Sequence, residues 1–80
     1  MFLEIITPVK KIFSGEVALI KLPGKNGSFE ILDHHAPIIS TLDGGEIKVV
    51  DNSKNVSEFE ISGGVVEAKN NKVVVLVETV

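Results

Sequence analysis

The chain has 80 residues, eight Lys, no Arg, eleven acidic residues, a net charge of −3 and no Cys. That length gives one small domain with a modest core, and excludes a large catalytic fold or a cleft between domains. The acidic balance argues against nucleic acid and an anionic membrane surface, and the absence of Cys excludes disulfides and thiolate metal sites.

Val, Ile and Thr supply 24 of the 80 residues, against three Ala and no Gln. Such β-branched side chains suit pleated sheets, so the chain reads as all-β. The first predicted strand is Phe2–Ile6, ended by Thr7-Pro8 because Pro cannot donate to a ladder. A second covers residues 15–22. Pro23-Gly24-Lys25-Asn26-Gly27 makes a turn. Strands at 28–32 and 36–42 flank Asp33-His34-His35, and Asp43-Gly44 turns into a strand at 46–50. The loop Asp51-Asn52-Ser53-Lys54-Asn55 leads to residues 56–62. Gly63-Gly64 permits a kink before residues 65–69. Asn70-Asn71 is a two-residue hairpin turn, since Asn tolerates the left-handed region, and residues 72–79 form the last strand. Some eight to ten short strands predict a flattened sandwich or barrel of two antiparallel sheets, with no helix longer than one turn.

Residues 1–20 carry Glu4, Lys10, Lys11 and Glu16, unlike a secretory signal. The longest apolar run, Val73 to Val77, falls far short of the ~20 residues that cross a bilayer as a helix. Glu46-Ile47-Lys48-Val49 and Glu58-Phe59-Glu60-Ile61 alternate, so one face of each strand is buried and the other wet. Ala18-Leu19-Ile20, Ile38-Ile39, Val65-Val66 and Val73 to Val77 are apolar on both faces. These are either central strands covered by their own chain or a face covered by another protein.

Asp33-His34-His35 is the cluster with catalytic or metal-binding flavour. Consecutive strand residues point to opposite faces, no third His exists, and such sites need three or four ligands, so no metal is expected. Gly24-Lys25-Asn26-Gly27-Ser28 departs from the phosphate-loop spacing and precedes a strand, not a helix. Ser57 and Ser62 lie near no plausible base. An alternative function is a biotinyl- or lipoyl-carrier module with Lys54 at a hairpin tip. The flanks such a lysine needs, Met on both sides or Asp before and Ala after, are absent. The residues alone therefore describe a non-enzymatic, acidic, all-β interaction module without a cofactor.

The order of the turn motifs adds a family. Phe13-Ser14-Gly15, His35-Ala36-Pro37 and Ser62-Gly63-Gly64 follow one another after Leu3-Glu4-Ile5-Ile6-Thr7-Pro8 and before Asn71-Lys72-Val73. This series resembles the epsilon subunit of F-type ATP synthases, specifically its N-terminal β-sandwich domain, over residues 1–80. Glu30 stands where that family commonly has Gly. The resemblance implies a non-catalytic rotor subunit of the central stalk. It would link the gamma subunit to the membrane c-ring and couple proton translocation to ATP synthesis. Its place would be peripheral, at the cytoplasmic face of a bacterial inner membrane, held there by the complex. By motif position, Lys25, Asn26, Gly27, Ser28, Phe29 and His35 would face the c-ring, and Thr7 and Ser40 the gamma subunit. His34 matches no family role. The sequence stops at Thr79-Val80, where the family usually continues into a helical hairpin. The expectation is a form, naturally short or truncated, that lacks the inhibitory tail.

Overall fold

A computed structural model describes residues 1–78. It contains nine strands and, among the described residues, no helix: β1 (Phe2–Ile6), β2 (Lys11–Glu16), β3 (Leu19–Gly24), β4 (Gly27–Leu32), β5 (Ile38–Leu42), β6 (Gly45–Val50), β7 (Val56–Ile61), β8 (Gly64–Lys69) and β9 (Lys72–Val77). The strands pair in the order β2-β1-β9-β8-β5-β3-β6-β7, with β4 on the other side of β3. The β3–β5 link is a single pair, Gly24 with Leu42. The ribbon folds over at that link into two layers, β2-β1-β9-β8-β5 and β4-β3-β6-β7. Leu3, Ile5, Ile20, Leu22, Ile31, Ile47, Val66, Val73 and Val75 fill the space between them and are fully or almost fully buried. Their alternation with exposed neighbours is the period of two that a half-buried strand requires.

The structure corrects the sequence reading in three places. Residues 15–22 are not one strand. The chain leaves β2 and enters β3 around Val17 and Ala18, whose N–H groups donate to the carbonyls of Met1 and Val50. Those two acceptors lie in different layers, so the break carries the chain from one sheet to the other. The sheets are also not wholly antiparallel, because β1 and β9 pair parallel. A parallel pair needs a long crossover, and here nearly the whole chain supplies it. The fifth strand begins at Ile38 because Pro37 has no N–H for the ladder. The predicted end of the last strand, Thr79, lies outside the described residues.

Two turns follow from their residues. Asn70 and Asn71 both have positive φ, 54° and 61°, which joins β8 and β9 by a two-residue turn matched to strand twist. Gly64 is required by close approach, since a Cβ there would lie 2.2 Å from the Leu76 carbonyl oxygen.

Candidate protein interface

The two lateral edges of the sandwich differ. At one, β2 lies opposite β7, and the Phe13 and Phe59 rings meet edge to face with centroids 5.9 Å apart. At the other, β4 and β5 leave a seam. Each has a full ladder on one side only, β4 with β3 and β5 with β8. Segment 33–37 joins the two strands at the far end of the seam.

A groove of about 620 Å³ occupies the near end, lined by Gly24, Lys25, Asn26, Gly27, Ser28 and Phe29 from the β3–β4 hairpin and by Ile39, Ser40 and Thr41 from β5. Gly24 makes room for Phe29, whose ring would lie 2.8 Å from a Cβ at that position. Lys25 has no carboxylate within ion-pair distance among the described residues. A second groove, about 770 Å³, runs round the same end of the sandwich. Thr7, Pro8, Ser62, Val65 and Leu76 line it, and Lys25 and Thr41 are shared with the first groove.

The structure thus brings Lys25, Asn26, Gly27, Ser28 and Phe29 together with Ser40, although the sequence reading sends them to different partners. Ser40 is half-buried and sits in register with buried Val66, so its side chain is on the core side of β5. Its neighbours Ile39 and Thr41 are the exposed ones. Thr7 holds its own turn: its Oγ1 accepts from the N–H of Val9 at 3.2 Å and of Lys10 at 3.1 Å. His35 lies in segment 33–37, a strand's length from the hairpin tip, and its ring Nδ1 donates to the Ala36 carbonyl at 2.7 Å.

Segment 33–37 is anchored rather than open. Asp33 pairs with the Met1 ammonium, and the His34 N–H donates to Asn71 Oδ1 at 2.8 Å. The hydrogen bond from that ammonium holds the Asp33 carboxyl below the ordinary carboxylate value. His34 has φ 61°, so the anchored turn is tight. Among the described residues no three His, Asp or Glu side chains are placed to share a metal ion. Lys54, with φ 68°, sits on an exposed loop closed by Asp51, whose Oδ1 accepts from the N–H of Ser53 and of Asn55.

The outer faces contrast as well. On the five-stranded layer, Leu76 is 52% exposed beside Val65 and Ile6, and Ile39, 73% exposed, stands opposite Glu67. On the four-stranded layer, Lys21 pairs across strands with Glu30, and Lys48 with Glu58. An apolar outer face of that kind marks a contact surface. The sequence pattern found it, through the apolar residues on both parities of β5, β8 and β9. It missed the second groove, whose walls come from five separate segments.

Over residues 1–80 the chain matches the family described as the ATP synthase delta/epsilon chain beta-sandwich domain. The ATP synthase epsilon chain of Chlorobium limicola is 40% identical over 78 residues, which are 98% of this chain and 89% of that protein. The epsilon chain of Sulfurimonas denitrificans is 42% identical over 76 residues, 95% of this chain and 58% of that one. Among solved structures, the fold is similar to a chain of the Euglena gracilis mitochondrial ATP synthase, in its OSCP/F1/c-ring assembly. That TM-score is 0.89 at 22% identity, covering 94% of this chain and 48% of the other. A chain of the Tetrahymena thermophila mitochondrial ATP synthase central stalk and c-ring gives 0.80 at 23% identity, covering 96% and 62%. The chain belongs to the ATP synthase epsilon chain family. That membership leaves the carrier reading of Lys54 without support.

Proposed function

We propose that this chain is a non-catalytic subunit of the central stalk of a rotary ATP synthase, forming a single β-sandwich domain over residues 1–80. It links the gamma subunit to the c-ring and so couples ion translocation to ATP synthesis. The observation that carries this reading is the family match over the whole chain. Two features of the molecule support it. The five-stranded layer presents an apolar outer face, which a permanent partner keeps dry. The polar hairpin tip at Lys25, Asn26, Gly27 and Ser28 is exposed, as a contact with polar membrane-subunit loops requires. Lys25 to Phe29 and His35 face the c-ring in this reading, and the Thr7 and Ser40 positions face gamma. Because Ser40 shares a groove with the hairpin tip, the two partners meet along the seam. The complex holds the chain at the cytoplasmic face of the bacterial inner membrane.

The test is thermal melting of the chain with and without purified gamma subunit. A partner that binds only the folded state adds RT ln(1 + [L]/Kd), about 2.7 kcal/mol at a hundredfold excess over Kd. The melting temperature rises accordingly. An unchanged melt with gamma in excess overturns the reading, and failure to co-purify with c-ring in the presence of gamma overturns its membrane half.

A further inference from the structure

Among the described residues, four strands have one edge free or nearly so: β2, β4, β7, and β5 apart from its single pair with β3. Free edges invite pairing with other chains, and proteins commonly guard them with charge. Three of the four follow that rule, with Lys11 and Glu16 on β2, Glu30 on β4, and Glu58 and Glu60 on β7. β5, Ile38-Ile39-Ser40-Thr41-Leu42, carries no charge at all. Its open side faces the seam groove.

The hydrogen-bond parity of β5 can be read directly. The Asp43 N–H donates to the Pro23 carbonyl at 2.8 Å, on the β3 side. Main-chain groups on a strand point alternately to its two sides, so those of Thr41 and Ile39 also point to the side away from β8. The Gly24–Leu42 pairing is made on that side by the residues flanking Leu42, so among the described residues the part of β5 left without a ladder partner there begins at Ile39. Ile39 therefore presents an N–H and a carbonyl at strand spacing to the groove. Phe29 offers an apolar wall on one side and exposed Ile39 continues the apolar outer face on the other. Among the described residues, Lys25 is the only charged one lining the groove, and it lacks a carboxylate partner.

We propose that an extended segment of the gamma subunit adds to β5 at Ile39 as a sixth strand of the five-stranded layer. This rests on the rotor reading above. The occupant is an extended chain because what the edge offers is a main-chain donor and acceptor at strand spacing, which only another backbone satisfies. Its side chains alternate between the Phe29 wall and the outer face, where Ile39 and Thr41 are the nearest neighbours and Glu67 lies one strand further in.

Amide hydrogen exchange followed by NMR tests the proposal on the intact chain, free and bound to gamma. In the free chain the Ile39 amide exchanges fast, whereas Ile38, Ser40 and Leu42 are protected by β8. Binding of gamma protects Ile39. Ile39→Pro removes the outward donor at a position where an edge strand tolerates proline, and weakens gamma binding about tenfold, the weight of one or two main-chain hydrogen bonds. Ile39→Thr keeps the donor and stays within about threefold of wild type. If gamma binds while the Ile39 amide still exchanges freely, strand addition is wrong and the rotor reading stands. If gamma does not bind at all, the rotor reading itself fails. Should Ile39→Pro not fold, the exchange pattern of the unaltered chain decides. Protection of this amide that grows with chain concentration in the absence of gamma assigns the edge to a second copy and overturns the proposal.

Discussion

One side edge of this sandwich is closed by aromatic side chains and the other is left as a groove, although both are made of short strands with one free ladder. Phe13 and Phe59 bridge the layers at the β2–β7 edge and pack against the buried cluster. At the β4–β5 edge the Phe29 ring lies over Gly24 on the hairpin side of the groove and does not close it. The closed edge also carries charge along its outer strands, and the open edge carries none on β5. The difference teaches that free surface in a small domain is not uniform. Where the chain supplies its own closure and charges, the edge belongs to solvent. Where it supplies neither, the edge is built for something else.

The largest effect is expected at the closed edge. Phe13→Ala removes a half-buried ring and its edge-to-face partner, and costs the free chain about 2–3 kcal/mol, below the ~3–5 kcal/mol of a fully buried Phe. Phe59→Ala costs a similar amount. The double variant costs less than the sum by about 1 kcal/mol, the coupling that an aromatic pair shows in such cycles. Urea denaturation of the four proteins measures this. Strict additivity shows that the two rings act independently and removes the contrast.

The open edge reverses the pattern. Ile39→Asp costs the free chain about 0.5–1 kcal/mol, because the position is exposed but stands directly opposite Glu67 across the β5–β8 ladder. In the proposed strand pairing with gamma the same carboxylate would be buried without a partner, and binding is expected to lose about 2 kcal/mol or more. Ser40→Asp sharpens the point from the other parity. Its side chain shares register with buried Val66, so the charge costs the free chain itself about 1–3 kcal/mol. A melt and a binding titration on each variant separate the two residues. Equal stability losses at positions 39 and 40 show that β5 has no preferred inner face.

These residues also mark how far the sequence reaches. The Asn70-Asn71 turn was legible because only a few residue types accept positive φ, and both positions adopt it. The apolar second face was legible because adjacent apolar residues such as Val65 and Val66 must lie on both sides of a strand. β2 was not, because Lys11-Ile12-Phe13-Ser14-Gly15-Glu16 lacks alternation, and its strand state comes from its pairing with β1. The parallel β1–β9 pair was equally hidden, since it depends on residues at opposite ends of the chain. The seam groove needs Ser40 beside Lys25 and Phe29, a proximity created by the single Gly24–Leu42 pair where the ribbon bends. No local pattern encodes such a contact.

The smallest effect concerns acid, and it divides the two edges again. Segment 33–37 closes the far end of the seam, and its anchor is the Asp33 carboxylate on the Met1 ammonium. Glu16 stands 3.6 Å from the same ammonium, and the His34 N–H bonds to Asn71. The hydrogen bond from the ammonium lowers the Asp33 pKa from its ordinary 3.8, with charge attraction from the ammonium and His34 in the same direction. A carboxyl whose folded pKa lies below its unfolded one binds protons less readily in the folded state. Its contribution to stability is therefore complete above about pH 3.8 and is lost as the pH falls through the depressed folded value. The Phe13–Phe59 contact has no ionisable group and does not follow pH. As the pH is lowered from 6 to 3, the His34 and His35 amides, which bond to Asn71 and Leu32, are expected to lose exchange protection before those around Phe13 and Phe59. Asp33→Asn removes the anchor's charge at every pH, so it lowers the melting temperature slightly at pH 6 and flattens the acid dependence of segment 33–37. The Asp33 side of the pair is about half exposed while Met1 is buried, so added salt weakens the pair only in part in the wild type. Loss of protection at both edges at the same pH shows that acid unfolds the sandwich as one unit, with no separate role for the anchor.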